Sequence, residues 1–251
     1  MSEVPGRDPA PDPMSLSARI EAAFLGAIAG ERAVQAPAAA GDLLEVADSI
    51  AATGGLDVED LRRRGLAGSS QAGAAGLLLR AVPLGLLSPL DRPRVRRDAY
   101  RIAGLAGADE ATAIAAMAAA LLAADLTRFD VATAALRVHQ SLLEDAPMAL
   151  LDRLRPPTGD LPEGGDDPAS ALQISLAVLH RAGTVDAAVR AAAQPGRRAA
   201  VSLAGALAGV HLGRNGIDET LRSSLPHGQR AVALAAAIAA RAQEAGIASV
   251  S

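Results

Sequence analysis

Alanine supplies the largest share of this chain's apolar residues, and that constrains its fold more than any single motif does. Half of the 251 residues are hydrophobic, yet only Phe24, Tyr100 and Phe129 are aromatic and there is no Trp. Each buried alanine removes little surface from water, at roughly 25 cal/mol per Å². A core of this kind is stable only where many helices approach one another closely. Alanine is also the strongest helix former, so the composition points to helices almost everywhere. We expect an all-α protein, a single compact multi-helix domain. No period-2 strand and no repeat of fixed length interrupts that reading.

Apolar residues recur at helical spacing over Ser15 to Ala29, with Leu16, Ile20, Ala23, Phe24, Ala27 and Ile28 on one side. Further helices are expected from Leu43 to Ala52 with Asp42 as N-cap, through Arg64 with Asp57 as cap, and from Ala72 to Arg80, where Pro83 should stop or bend the chain. Arg94 to Leu105, Glu110 to Ala124 after Asp109, and Arg128 to Leu143 continue the pattern. Ser170 to Arg181, Val185 to Ala193, Arg197 to Leu212, Asp218 to Ser223 and His227 to Ala245 complete it. The polar, Pro-rich residues 1–14 read as a disordered tail, 15–246 as the domain, 247–251 as a C-terminal tail, and Pro156 to Pro168 as a surface loop.

Several functions are disfavoured at this stage. The chain has no cysteine, which removes disulfide and thiolate chemistry and fits a cytoplasmic setting. All 24 basic residues are Arg, so Schiff-base and P-loop lysines are absent. A net charge of −4 gives no electrostatic reason to expect nucleic acid. The longest apolar runs, Ala113 to Ala124 and Ala231 to Ala240, fall short of the roughly 20 residues a membrane helix needs. His139, His180, His211 and His227 show no metal-ligand spacing, and the serines lack a nucleophile-elbow frame.

Four stretches resemble the ADP-ribosylglycohydrolase family, in the family's order. Gly26-Ala-Ile-Ala-Gly-Glu-Arg-Ala-Val-Gln-Ala-Pro37 is similar to its opening Gly-x-x-x-Gly-Asp-Ala-x-Gly-x-Pro, with Glu31 in place of Asp. Leu79-Arg-Ala-Val-Pro-Leu-Gly85 matches its Ala-Met-Arg-x-x-Pro-Leu-Gly segment through Arg80 and Pro83. Ala171 to Ala192 resembles the helix pair that follows, and Gln194 to Gly213 its C-terminal signature, where a Gly-Gly-Asp-x-Asp-Thr turn opens an Ala/Gly-rich helix. The resemblance implies the family's all-helical fold and, in active members, magnesium or manganese held by aspartates. Here those aspartates fall on Gly196 and Arg198, and the pair from the family's Thr-Asp-Asp-Thr turn falls on Ala38 and Ala39. None of these side chains offers a hard oxygen, and a guanidinium repels a cation. The family's Thr-His pair likewise falls on Ala106 and Gly107.

The sequence therefore leads to a member of this family that lacks its metals and acts through binding an ADP-ribose-like molecule or an active paralogue. Arg80, Arg197 and Arg198 are the candidate ligand-binding residues, since guanidinium forks at a helix N-terminus suit a phosphate. The plainer alternative has one arginine filling the vacated space and the other solvated. Glu31 is the one candidate acid for a metal-independent hydrolase of a ribosyl glycosidic bond, against a structural role near Arg32. A purely structural subunit is the third reading.

Overall fold

The computed structural model describes residues 12, 14–35, 39–68, 70, 73–155, 167–194 and 197–248. Most of the expected N-terminal tail, the bulk of the polar loop, Ala38 and Gly196 lie outside them. Among the described residues the secondary structure is entirely helical. The order is α1 (Leu16–Val34), α2 (Ala39–Thr53), α3 (Val58–Arg63), α4 (Gly73–Leu87), α5 (Arg92–Leu105), α6 (Glu110–Leu126) and α7 (Val131–Ser141). It continues with α8 (Met148–Arg153), α9 (Pro168–Leu179), α10 (Val185–Ala192), α11 (Arg198–Leu212), α12 (Glu219–Ser224) and α13 (Gly228–Ala248). A short 3-10 turn, Gly213–Gly216, links α11 to α12.

The bundle is organised around α1 and α11. A Cβ built on Gly26 would lie 2.1 Å from the Gly205 carbonyl oxygen, and one on Gly205 the same distance from that of Gly26. Gly209 meets the Ala22 carbonyl oxygen at 2.1 Å in the same sense, and Gly30 meets Ser202 Cα at 2.6 Å. Ascending numbers on one helix meet descending numbers on the other, so the pair is antiparallel and touches backbone to backbone. Only glycine permits that approach. It is repeated where Gly85 of α4 faces the Ala120 carbonyl oxygen of α6 at 2.0 Å.

Both α4 and α6 are buried on every side, Ala75 to Leu87 and Thr112 to Leu126 without interruption, as expected of helices apolar all round. Helices α9 and α10 pack against α11, α5 covers α4 and α6, and α13 lies across α1 and α2. The core is thus a set of alanine helices in close contact, as the composition requires.

Two local details differ from the sequence reading, and packing accounts for both. Pro83 lies inside α4 and does not end it. Its missing N–H costs roughly 3 kcal/mol in a helix interior. Burying Leu84, Leu86 and Leu87 beyond it gains roughly 1.5–3 kcal/mol each, so continuation wins. Asp42 lies within the first turn of α2 and does not cap it. Sequence pattern also gave no sign of α8, and α13 runs to Ala248, two residues past the expected domain end.

Elsewhere local capping follows the sequence. Asp57, Asp91, Asp109, Asp130, Asp167 and Asp218 each accept a backbone N–H at the start of the following helix. Thr112 holds the Asp109 carboxyl below its ordinary range by side-chain and backbone hydrogen bonds. The backbone N–H and hydroxyl of Thr133 do the same for Asp130, and those of Thr220 for Asp218.

Two predictions follow from this architecture. Gly205→Ala forces α1 and α11 apart and lowers unfolding free energy by on the order of 3 kcal/mol. Gly104→Ala, where an added Cβ meets nothing within 4 Å, raises it by about 0.5 kcal/mol. Denaturant unfolding of both checks the pair. For the caps, a depressed folded pKa means stability is present above the unfolded value and lost as pH falls through the folded one. Thermal midpoints should therefore hold from about pH 7 to 5 and drop below about pH 4. Asp109→Asn combined with Asp130→Asn should flatten that acid limb.

Candidate functional site at the Glu31 end of the α1–α11 pair

The antiparallel crossing brings the C-terminal end of α1 beside the N-terminal end of α11. Glu31 follows Gly30, which touches Ser202, and Arg198 lies one helical turn before Ser202. The start of α2 joins them: the Glu31 Oε2 accepts the Ala40 backbone N–H at 2.9 Å. Glu31, Ala39 and the first turn of α11 therefore gather at one end of the bundle.

Each sequence candidate has a definite place there. Glu31 is half-buried and satisfies one of the N–H groups that every helix start leaves without an intrahelical partner. Its carboxylate also lies at the positive end of the α2 dipole. This cap spans nine residues, too far along the chain for a local capping pattern, which points to Asp42, to register. Ala39 is buried among apolar neighbours and presents only a methyl group.

Arg80 is 3% exposed. Its Nε and Nη2 face Asp42 Oδ2 at 3.0 and 2.8 Å, and its Nη1 donates to the carbonyl oxygens of Leu66 and Gly68 at 2.9 and 3.0 Å. These partners commit the guanidinium to holding α2, α4 and the chain after α3 together. Asp42, displaced from the capping position, is the counter-charge that makes burial of Arg80 tolerable.

Arg197 and Arg198 part company. Arg197 is 4% exposed, and its backbone N–H donates to the Gln194 carbonyl oxygen at 3.2 Å. Arg198, the first residue of α11, is exposed. One arginine is thus inside and the other at the surface.

Beside Glu31 a cavity of about 530 Å³ opens between α1, α2 and the turn into α13. Its lining combines the buried Ile28, Ala40 and Leu44 with the half-buried Gly41, and Glu31, Arg32, Gln35, His227 and Arg230 also face it. Sequence reasoning missed this feature, because His227 and Arg230 are roughly 200 positions from α1 and carry no motif.

The family's divalent cations need several hard oxygens converging on one point. Among the described residues no three His, Cys, Asp or Glu side chains form a metal-holding group. Glu31 is engaged at a helix start, Asp42 is paired with Arg80, and Ala39 and Arg198 supply no acceptor. The described residues at this end of the bundle do not fit the metals.

A family model for ADP-ribosylglycohydrolase matches residues 44–248, and the chain belongs to the ADP-ribosylglycohydrolase family. A solved structure described as an ADP-ribosylglycohydrolase-related protein complex is similar to it, with a TM-score of 0.79 and 21% identity over 91% of this chain and 99% of that one. At that identity the likeness establishes the shared all-helical fold. No curated protein sequence matches the chain. No described helix is long and apolar enough to cross a membrane.

If Asp42 is present to balance Arg80, removing it strands a buried cation. Asp42→Ala should cost about 3 kcal/mol of stability, whereas Glu31→Ala, which removes one charged helix cap, should cost about 1 kcal/mol. Chemical denaturation of the two variants against the parent measures the difference.

Proposed function

We propose that this chain is a non-catalytic member of its family, which acts by binding an ADP-ribose-like molecule. The observation that carries the reading is the use made of its polar side chains at the Glu31 end of the α1–α11 pair. The acid that survives from the family's opening motif caps α2, the next acid neutralises Arg80, and the positions vacated by aspartate hold Ala39 and Arg198. A metal-activated water needs a cation bound by carboxylates, and these residues supply none.

Retention of the family frame around an altered set of polar residues supports binding over plain structural use. Arg198 is the exposed arginine at the start of α11 and, of the three first considered, the one whose position suits a phosphate in solution. An active paralogue remains the candidate protein partner. The similar solved structure is described as a protein complex, which favours asking whether this chain, too, works in an assembly.

Calorimetry with magnesium and manganese should give no saturable binding, and release of ADP-ribose from a modified arginine substrate should stay at background. ADP-ribose should raise the melting temperature by linkage to the folded state, and Arg198→Glu should abolish that shift. Robust metal-dependent turnover would overturn the proposal. Metal-free turnover that vanishes in Glu31→Gln would instead establish the altered-hydrolase reading.

A further inference from the structure

We infer that the cavity between α1, α2 and α13 is a second binding site, for a small organic anion that joins a phosphate or carboxylate to an apolar ring. Its volume of about 530 Å³ falls among small-molecule sites. The inner wall is apolar, built by Ile28 and Leu44 with Ala40 and the backbone of Gly41. Such a wall accepts a ring and offers a charged group nothing. The mouth is the reverse, with Arg32, His227 and Arg230 exposed around the opening.

Arg32 and Arg230 place two guanidinium groups at the mouth that can receive an anion. Glu31 faces the same space, but its Oε2 is turned to the Ala40 N–H. Arg32 directs Nη1 to the carbonyl and hydroxyl oxygens of Ser224 at 3.2 and 3.1 Å. Arg230 places Nη2 2.7 Å from Glu45 Oε1 and 3.6 Å from Asp48 Oδ2. These contacts hold each guanidinium by one nitrogen at the solvent boundary. A guanidinium carries five donors in a planar fork, so anchoring one nitrogen fixes its direction and leaves others for a ligand. Exposed ion pairs are weak, and a bound phosphate competes with them.

The walls are also where the chain adopts its unusual backbone. Gln35 and His227, at φ 48° and 59°, are the non-glycine residues with positive φ among those described, and both line the cavity. Left-handed conformations are disfavoured for residues with a Cβ. In Gln35 the conformation ends α1, and in His227 it turns the chain into α13. Arg198 does not line this cavity, and binding here depends neither on metal chemistry nor on its absence.

The test uses the full chain in the presence of a chelator, with phenyl phosphate as probe and phenol and inorganic phosphate as its two halves. Calorimetry should show one phenyl phosphate per chain, bound at least about tenfold more tightly than either half. Arg230→Ala and Arg32→Ala should each weaken it by about tenfold. Leu44→Phe, which fills the apolar wall and keeps every charge, should block it. Arg198→Glu should leave it unchanged, so failure here is distinguishable from failure of the α11 reading. Absence of saturable binding up to about 10 mM, or binding indifferent to Arg230→Ala and Leu44→Phe in variants with native circular dichroism, overturns the inference.

Discussion

The contact between α1 and α11 is the constraint on which the other helices depend. Gly26 and Gly205 touch through their backbones, and Gly30 and Gly209 extend the contact toward either end. A chain whose core is mostly alanine cannot fill wide gaps between helices, since a methyl group reaches only a short way and dispersion falls steeply with distance. Removing even that methyl at the crossing brings two backbones together and lets the flanking alanines of both helices meet. The α4–α6 pair applies the same solution at Gly85 and Ala120, and together the two pairs form a dense centre without large side chains.

The electrostatics of the ends of α1 follow from that crossing. At one end Arg19 Nη1 donates to the carbonyl oxygens of Val210, His211 and Leu126 at 2.6, 3.0 and 3.2 Å, where α11 and α6 finish. At the other, Glu31 accepts a backbone N–H where α2 begins. A cation therefore meets C-terminal carbonyls and an anion meets an N-terminal amide, each complementing a helix dipole. In the family's active members the second of these ends is the one the resemblance associates with cations. Here its carboxylates are engaged by the protein itself, so the same packing carries a different balance of charge.

A similar economy governs charge at the far side of the bundle. Asp125, fully buried in α6, is faced by Arg92, Arg128 and Arg137. Arg128 and Arg137 also stack over the Phe129 ring, 5.1 and 4.6 Å from its centroid. A buried carboxylate without partners would be prohibitively expensive. Arginines from α5 and α7, with Arg128 from the turn after α6, fasten those elements to the centre where aromatic packing is scarce.

Sequence by itself determined the helical class, most helix starts and the family. Alanine content, the aspartates before Val58 and Glu110, and the ordered motifs act over a few residues and are legible without coordinates. By resemblance it set the family's aspartates on Ala38, Ala39, Gly196 and Arg198. Only the tertiary structure decided what the surrounding residues do. Glu31 caps a helix nine residues on, Asp42 serves Arg80, Arg197 is buried while its neighbour is solvated, and Pro83 is carried through a helix. Each of these outcomes turns on burial or on a partner distant in the chain. Neither quantity is encoded in local spacing, and both are fixed only once the glycine crossings bring the helices together.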